Sequence, residues 1–286
     1  MRPRRSVLYM PGANARALQK AKDLPADGLI LDLEDAVAPN AKPVARAQVC
    51  AAVEAGGYGW RELVIRVNGL DTPWGLDDVK AASATSADAI LLPKVESAAM
   101  VERLDKALRD NGARADMAIW CMIETPLGIL RAAEIAAALP RMRVLVMGTS
   151  DLTKDLQARH RPDRLPMITA LSLCLLAARA HGRVILDGVR LDLDDTAGFD
   201  AACQQGVDLG FDGKTLIHPK QIDPCNKIFA PGENEIAEAR KIVAAFETAE
   251  AAGQGVVLVD GKLIENLHVE AARRTLSFAE MIAERT

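Results

Sequence analysis

Eight short apolar runs recur along the chain with stretches of helical length between most of them, and this alternation constrains the fold more than any other feature. The runs are Val7–Met10, Leu29–Leu33, Leu63–Val67, Ala89–Leu92, Ala118–Ile123, Val144–Met147, Val184–Leu186 and Thr215–Ile217. They are near-continuous in apolar character and bounded by Gly, Pro or charge, as parallel strands buried on both faces should be. Lys42–Ala55, Ala98–Asn111 and Leu127–Leu139 are typical of the intervening helices. Eight such units within 286 residues predict an α/β fold, a closed TIM (β/α)₈ barrel. The rival is an open doubly wound sheet, which should carry a glycine-rich turn after its first strand. Here that turn reads Pro11-Gly12-Ala13-Asn14-Ala15-Arg16, which is not GxGxxG.

After the eighth run the pattern changes. The barrel is assigned to residues 1–230 and a helix–hairpin–helix extension to residues 231–286. Helical Glu233–Ala252 leads into Val256–Glu265, where Asp260-Gly261 between apolar runs signals a hairpin, and a last helix begins at Leu267. A hairpin after a finished barrel has no part in closing it, so a lid or an oligomer contact is expected.

Composition narrows the classes. Aromatics are only 3% of the chain, so Ala, Leu, Ile and Val must build the core. A net charge of −4 gives no reason to expect a nucleic-acid partner, and no apolar run is long enough for a membrane span. Clustered Arg2, Arg4 and Arg5 read as a solvated tail or, less often, part of a phosphate site. Five cysteines without a CxxC pair read as reduced thiols, and a cytoplasmic protein is expected.

In a barrel enzyme the chemistry hangs from the carboxyl ends of the strands. Those ends read Asp32-Leu33-Glu34-Asp35, Arg66-Val67-Asn68, Pro93-Lys94, Glu124-Thr125-Pro126, Gly148-Thr149-Ser150-Asp151, Asp187 and His218-Pro219. Carboxylates gathered on one rim repel unless a cation intervenes. Glu124 and Asp151 lie one βα unit apart, so neighbouring strands about 4.8 Å apart would present both to one ion. Oxygen donors without a His or Cys cluster favour Mg²⁺, or Mn²⁺, over zinc. The bland alternative has Asp151 capping a helix that begins at Leu152 and Glu124 paired with an arginine. Arg66 offers a planar fork for a carboxylate or oxyanion, or else pairs with Glu34 or Asp35. Glu34 and Asp35 are adjacent, so strand alternation should keep them from sharing a pocket. Arg16, Lys20 and Lys22 near the Gly12 turn form a candidate phosphate anchor. His218 reads as structural.

These residues carry a resemblance. Arg5-Ser6-Val7-Leu8, Pro11-Gly12, Leu31-Asp32-Leu33-Glu34-Asp35-Ala36-Val37, Arg66-Val67-Asn68-Gly69 and Leu92-Pro93-Lys94 open an ordered series. Ile123-Glu124-Thr125-Pro126, Asp151-Leu152, Asp155-Leu156, Phe211-Asp212-Gly213-Lys214 and Ile217-His218-Pro219 complete it. In that order they resemble the citrate lyase β-subunit-like family of the HpcH/HpaI aldolase superfamily, which includes malyl-CoA and citramalyl-CoA lyases. The resemblance implies a homotrimeric TIM barrel with Mg²⁺ on Glu124 and Asp151. It implies a coenzyme A thioester substrate touching Arg66 and Glu124, with Arg66 offsetting charge on the thioester. From the residues themselves, Asp35 joins Arg66 in the catalytic group, and Arg16 and Lys20 are assigned to the coenzyme's phosphates. The implied reaction splits a 3-hydroxyacyl-CoA into acetyl-CoA and a 2-keto acid.

The series departs from the family once. Leu263-Ile264-Glu265 stands where the family has an Asp acting as acid–base group from a neighbouring subunit, so Glu265 is the implied replacement. A carboxylate displaced by about an ångström can cost about 10²-fold in rate. Two further readings therefore stand beside the lyase: a malyl-CoA thioesterase on the same fold, and a subunit that works only with an acyl-carrier partner.

Overall fold

The computed structural model describes Arg2–Arg285. Its centre is a closed barrel of eight parallel strands: β1 Ser6–Pro11, β2 Gly28–Asp32, β3 Glu62–Arg66, β4 Ala89–Leu92, β5 Ala118–Ile123, β6 Met142–Met147, β7 Val184–Asp187 and β8 Gly213–Leu216. The strands pair in chain order, and β1 closes on β8 with Ser6 opposite Lys214. Around them run α1 Ala15–Lys20, α2 Lys42–Ala55, α3 Gly75–Ser83, α4 Ala98–Asp110, α5 Pro126–Leu130 and α6 Ala132–Ala137. The circuit continues with α7 Thr149–Asp155, α8 Leu165–Ala180, α9 Thr196–Leu209 and α10 Ile222–Ile228.

Side chains alternate along each strand, so one set points inward and fills the barrel. Val7, Ile30, Val64, Leu91, Val144, Val146 and Leu186 form most of that interior, as the low aromatic content requires. At its middle is Trp120, fully buried.

The floor of the barrel corrects the reading of the basic start. Arg5 is buried and grips Asp27, its Nε and Nη2 each donating at 2.8 Å to one carboxylate oxygen. Arg4 donates to both oxygens of Glu62, at 2.6 and 2.9 Å, and its guanidinium lies 5.6 Å from the Trp120 ring centroid. Arg4 and Arg5 are therefore neither a solvated tail nor a phosphate site. They are ion-paired plugs at the amino ends of β1, β2 and β3.

Helix boundaries follow the sequence pattern to within a residue for α2 and α4. The single helix expected over Leu127–Leu139 is instead two, α5 and α6, broken at Arg131 where the backbone turns to φ −107°, ψ 14°. Arginine is a good helix former, so composition carries no mark of the break. All five cysteines are free thiols, four of them buried.

The chain divides into two compact units, Arg4–Lys227 and, with the first residues, Ile228 onward. The second is built on α11 Glu233–Ala251, a two-stranded antiparallel hairpin of β9 Val257–Val259 and β10 Lys262–Ile264, and α12 Asn266–Ala283. Phe246, Val259, Ile264 and Val269 form its core. Asp260 and Gly261 both have positive φ, 50° and 79°, as the tight hairpin turn expected there demands. Among the described residues no helix is long and apolar enough to cross a membrane.

Candidate active site

The carboxyl ends of the strands surround a cavity of about 360 Å³ whose walls include Tyr9, Asp35, Arg66, Met122, Glu124 and Asp151. Register explains its centre. Asp32 ends β2 and Arg66 ends β3, and the two are paired across the strands. Asp32 therefore takes the guanidinium side-on, accepting from Nε at 2.6 Å and Nη2 at 2.7 Å. This is the bidentate geometry that a lysine cannot reproduce. The Tyr9 ring packs 4.9 Å from the guanidinium, adding a cation–π contact. Burial opposes the charge on Arg66, but the Asp32 hydrogen bonds and the surrounding carboxylates hold its pKa above the ordinary value.

Glu34 and Asp35 both approach Arg66, against the expectation that they would diverge. Glu34 Oε2 lies 2.8 Å from Arg66 Nη1, and Asp35 Oδ2 lies 3.8 Å from it. The reason is that β2 stops at Asp32. Its carboxylate accepts from the backbone N–H groups of Glu34 and Ala36, at 2.9 and 3.0 Å, and curls the loop back. Strand alternation no longer applies there.

Glu124 follows β5 and Gly148 follows β6, side by side in register. A Cβ at Gly148 would fall on the Glu124 side chain, so only glycine leaves that carboxylate its place. Glu124 is 2% exposed, and burial pushes its carboxyl up to about 7, in spite of the opposing charge of Lys94. It accepts a hydrogen bond from the Lys94 backbone N–H at 2.8 Å. Asp151 lies in the first turn of α7, which begins at Thr149 rather than Leu152, and Gly148 holds the cap position.

Lys94 joins the acidic groups. Its Nζ lies 3.0 Å from Glu34 and 3.1 Å from Asp151. Its backbone is left-handed, φ 50°, a strained conformation for a residue with a side chain and one that marks functional sites. Burial pulls its pKa down, but the hydrogen bond and charge of Glu34, with Glu124 and Asp151, raise it on balance. Five carboxylates (Asp32, Glu34, Asp35, Glu124 and Asp151) thus gather around two side-chain cations, Arg66 and Lys94.

Glu124 and Asp151 both line the cavity and are two carboxylates that could hold a divalent cation. No cluster of three or more His, Cys, Asp or Glu suited to a metal occurs among the described residues. A two-carboxylate, all-oxygen set fits Mg²⁺, which dehydrates reluctantly and keeps waters or substrate oxygens in its remaining positions.

The other expected site residues lie elsewhere. Arg16 and Lys20 are exposed on α1, whose N-cap Asn14 accepts from the Ala17 N–H at 3.0 Å. Glu265 belongs to the second compact unit, exposed at the N-cap of α12, where its N–H donates to His268 Nδ1 at 3.1 Å. His218 caps a short 3₁₀ turn, its Nδ1 accepting from the Lys220 N–H, which is the structural role expected of it. Sequence reasoning assigned no role to Asp32, Lys94, Tyr9 or Gly148. Asp32 sat inside a run scored for hydrophobicity, yet its strand-end position beside Arg66 was the signal.

Residues 5–219 match the family model described as HpcH/HpaI aldolase/citrate lyase. The chain is 53% identical over 281 residues to a (3S)-malyl-CoA thioesterase of Cereibacter sphaeroides, covering 98% of this chain and 96% of that one. It is 38% identical to the citrate lyase subunit beta of Escherichia coli, over 98% and 94% of the two chains. Among solved structures it superposes on CitE of Mycobacterium tuberculosis in complex with magnesium, acetoacetate and coenzyme A. The TM-score is 0.78 at 31% identity, over 96% of this chain and 97% of that one. By sequence and by fold, the chain belongs to the HpcH/HpaI aldolase/citrate lyase family.

Proposed function

We propose that the chain is a magnesium-dependent thioesterase acting on a 3-hydroxyacyl-CoA of the malyl-CoA type, releasing the free acid and coenzyme A. The observation that carries this reading is the 53% identity, along nearly the whole of both chains, to a (3S)-malyl-CoA thioesterase. The site supplies the chemistry it needs. Arg66, locked by Asp32, presents a cation toward the cavity, where it would steady the negative charge that develops on the thioester oxygen. Glu124 and Asp151 would hold the ion; when bound, it polarises substrate oxygens and offsets their charge. Tyr9 and Met122 give the cavity an apolar wall that limits water and strengthens those interactions.

In this reading the attacking water gives its proton to a carboxylate, its oxygen bonds to the thioester carbon, and the carbon–sulfur bond breaks. The departing thiolate then takes the proton. Glu265 is proposed as that carboxylate, delivered by residues 231–286 of a neighbouring chain in a cytoplasmic homotrimer. Its support is the exposed apolar set around it: Leu258, Leu263 and Leu267 are 69%, 52% and 60% exposed. Arg16 and Lys20 would meet the phosphates of the coenzyme.

A second reading, carbon–carbon cleavage to acetyl-CoA and a 2-keto acid, is favoured by the similarity to citrate lyase subunit beta. Product analysis separates the two. With (3S)-malyl-CoA the purified chain should release coenzyme A and malate together; acetyl-CoA with glyoxylate in equal amount would replace the thioesterase by the lyase. Turnover of a free thioester also excludes dependence on an acyl-carrier partner. Glu265→Gln should keep assembly and magnesium binding but lose most turnover, and unchanged turnover would remove Glu265 from the mechanism.

A further inference from the structure

We infer that the barrel carries a second ligand site, a cationic cavity between the loops after β6 and β7 that takes a phosphate-bearing small molecule on Arg164 and Arg190. The cavity is about 410 Å³, the size of a metabolite rather than of a single ion. Arg159, Arg161, Arg164, Arg190 and Lys214 line it, against two aspartates.

Two of these arginines are built in and left incomplete. Arg164 Nη1 donates to both oxygens of buried Asp187 at 2.7 Å, and its Nε donates to Gln205 at 2.6 Å. Its Nη2 is buried and has no acceptor. Arg190 Nη2 donates to Asp195, while its Nε is likewise buried without an acceptor. A buried donor left unpaired costs about 1–3 kcal/mol, more when charged. Both arginines line the one cavity, where a bound oxyanion would supply the missing acceptor.

The backbone holds these groups at a further cost. Arg164 is left-handed, φ 54°, in the N-cap position of α8, where Asn or Gly would be unstrained. Asp195 caps α9 by accepting from the Gly198 N–H at 2.9 Å, and a Cβ at Gly198 would fall on both Asp195 and Arg190. Arg159 is exposed and makes no hydrogen bond or ion pair among the described residues, so it is free to meet a ligand. Arg161 is paired with Asp163, and Asp187 lies between Arg164 and Lys214, so the unpartnered charge in the cluster is that of Arg159. A guanidinium cluster suits a phosphate, whose terminal oxygens accept from several donors, better than a monocarboxylate.

Thr149, Ser150, Val189 and Leu191 line both this cavity and the candidate active site, so the two share a wall. The phosphate has two possible sources: the substrate's own coenzyme, or a separate phosphorylated metabolite that binds beside the reacting groups.

Titration calorimetry with inorganic phosphate tests the site without using turnover, so its failure and the failure of the thioesterase reading are distinct. The wild-type chain should bind phosphate saturably, and Arg190→Gln should bind it at least about tenfold more weakly. Arg159→Gln, at an exposed position, should weaken it in the same direction, while Arg109→Gln, exposed on α4 and lining neither cavity, should not. Absent binding, or equal affinity in Arg190→Gln and wild type, overturns the inference. Kinetics then tell the sources apart. If the coenzyme supplies the phosphate, Arg190→Gln raises KM for the acyl-CoA but not for an acyl-pantetheine thioester, which has none. If a separate metabolite does, both KM values stay put and added phosphate changes turnover in wild type alone.

Discussion

The two ends of the barrel use the same interaction for opposite purposes. At the floor, Arg4 faces Glu62 and Arg5 faces Asp27, each guanidinium donating two hydrogen bonds to its carboxylate. At the rim, Arg66 is held as tightly by Asp32, yet Glu34 and Asp35 crowd the same guanidinium, and Glu124 and Asp151 stand with Lys94. The Arg5–Asp27 and Arg66–Asp32 pairs are similarly buried. What differs is the balance of charge, and an open cavity beside it. A buried arginine pair is weak evidence for either stability or function by itself; the surplus of carboxylates is what marks the site.

The contrast breaks most sharply under substitution. Arg5→Met should cost about 3–5 kcal/mol of stability, because Asp27 stays buried without its cation, yet leave kcat per folded molecule unchanged. Denaturant melts together with active-site titration measure both. A fall in kcat at constant fold would mean the floor reaches the chemistry after all. Arg66→Lys should do the reverse, losing about 2–4 kcal/mol of transition-state stabilisation, roughly 30- to 1,000-fold in kcat/KM. If kcat/KM holds and stability falls, Arg66 is a structural plug like Arg5.

Smaller effects sharpen the account of the surplus. Asp151→Asn should weaken magnesium binding by about 10- to 100-fold while the melting profile without metal holds or improves, since one repelling charge is gone. Wild-type affinity in that variant would take Asp151 out of the ligand set.

The last effect is a pH dependence. Glu124 titrates near 7 rather than at its ordinary 4.5, so the folded state favours its protonated form. Its contribution is complete below about pH 4.5 and is lost as pH rises through about 7, on the order of 3 kcal/mol. Metal-free protein should therefore lose stability from about pH 5 to pH 8, and saturating magnesium should flatten the decline. A decline that magnesium leaves untouched would assign it to another group.

How much of this was legible in the sequence depends on which physics wrote it. The barrel was legible because burial on both faces leaves near-continuous apolar runs, and β4 and β5 have the bounds that pattern predicts. Arg66, Glu124, Asp151 and Asp35 were legible as charges at strand ends, and they line one cavity. Asp32 was visible as a strand-end charge, but its pairing with Arg66 depends on the β2–β3 register, which the sequence does not state. Lys94 depends on a left-handed turn that no composition announces. The unpaired donors of Arg164 and Arg190 exist only once loops distant in sequence are brought onto one cavity.

The single tryptophan sealed inside the barrel has a spectroscopic consequence. The chain has three tryptophans, Trp60, Trp74 and Trp120, and all belong to the compact unit Arg4–Lys227. Trp120, in a dry interior, emits in the blue part of the indole range and shifts red when the interior floods. Intrinsic fluorescence is therefore a barrel thermometer and is blind to melting confined to residues 228–285. Circular dichroism, which counts the helices of both units, sees each transition. A gap between the two melting curves would give the stability of the C-terminal unit directly, with no label and no mutation.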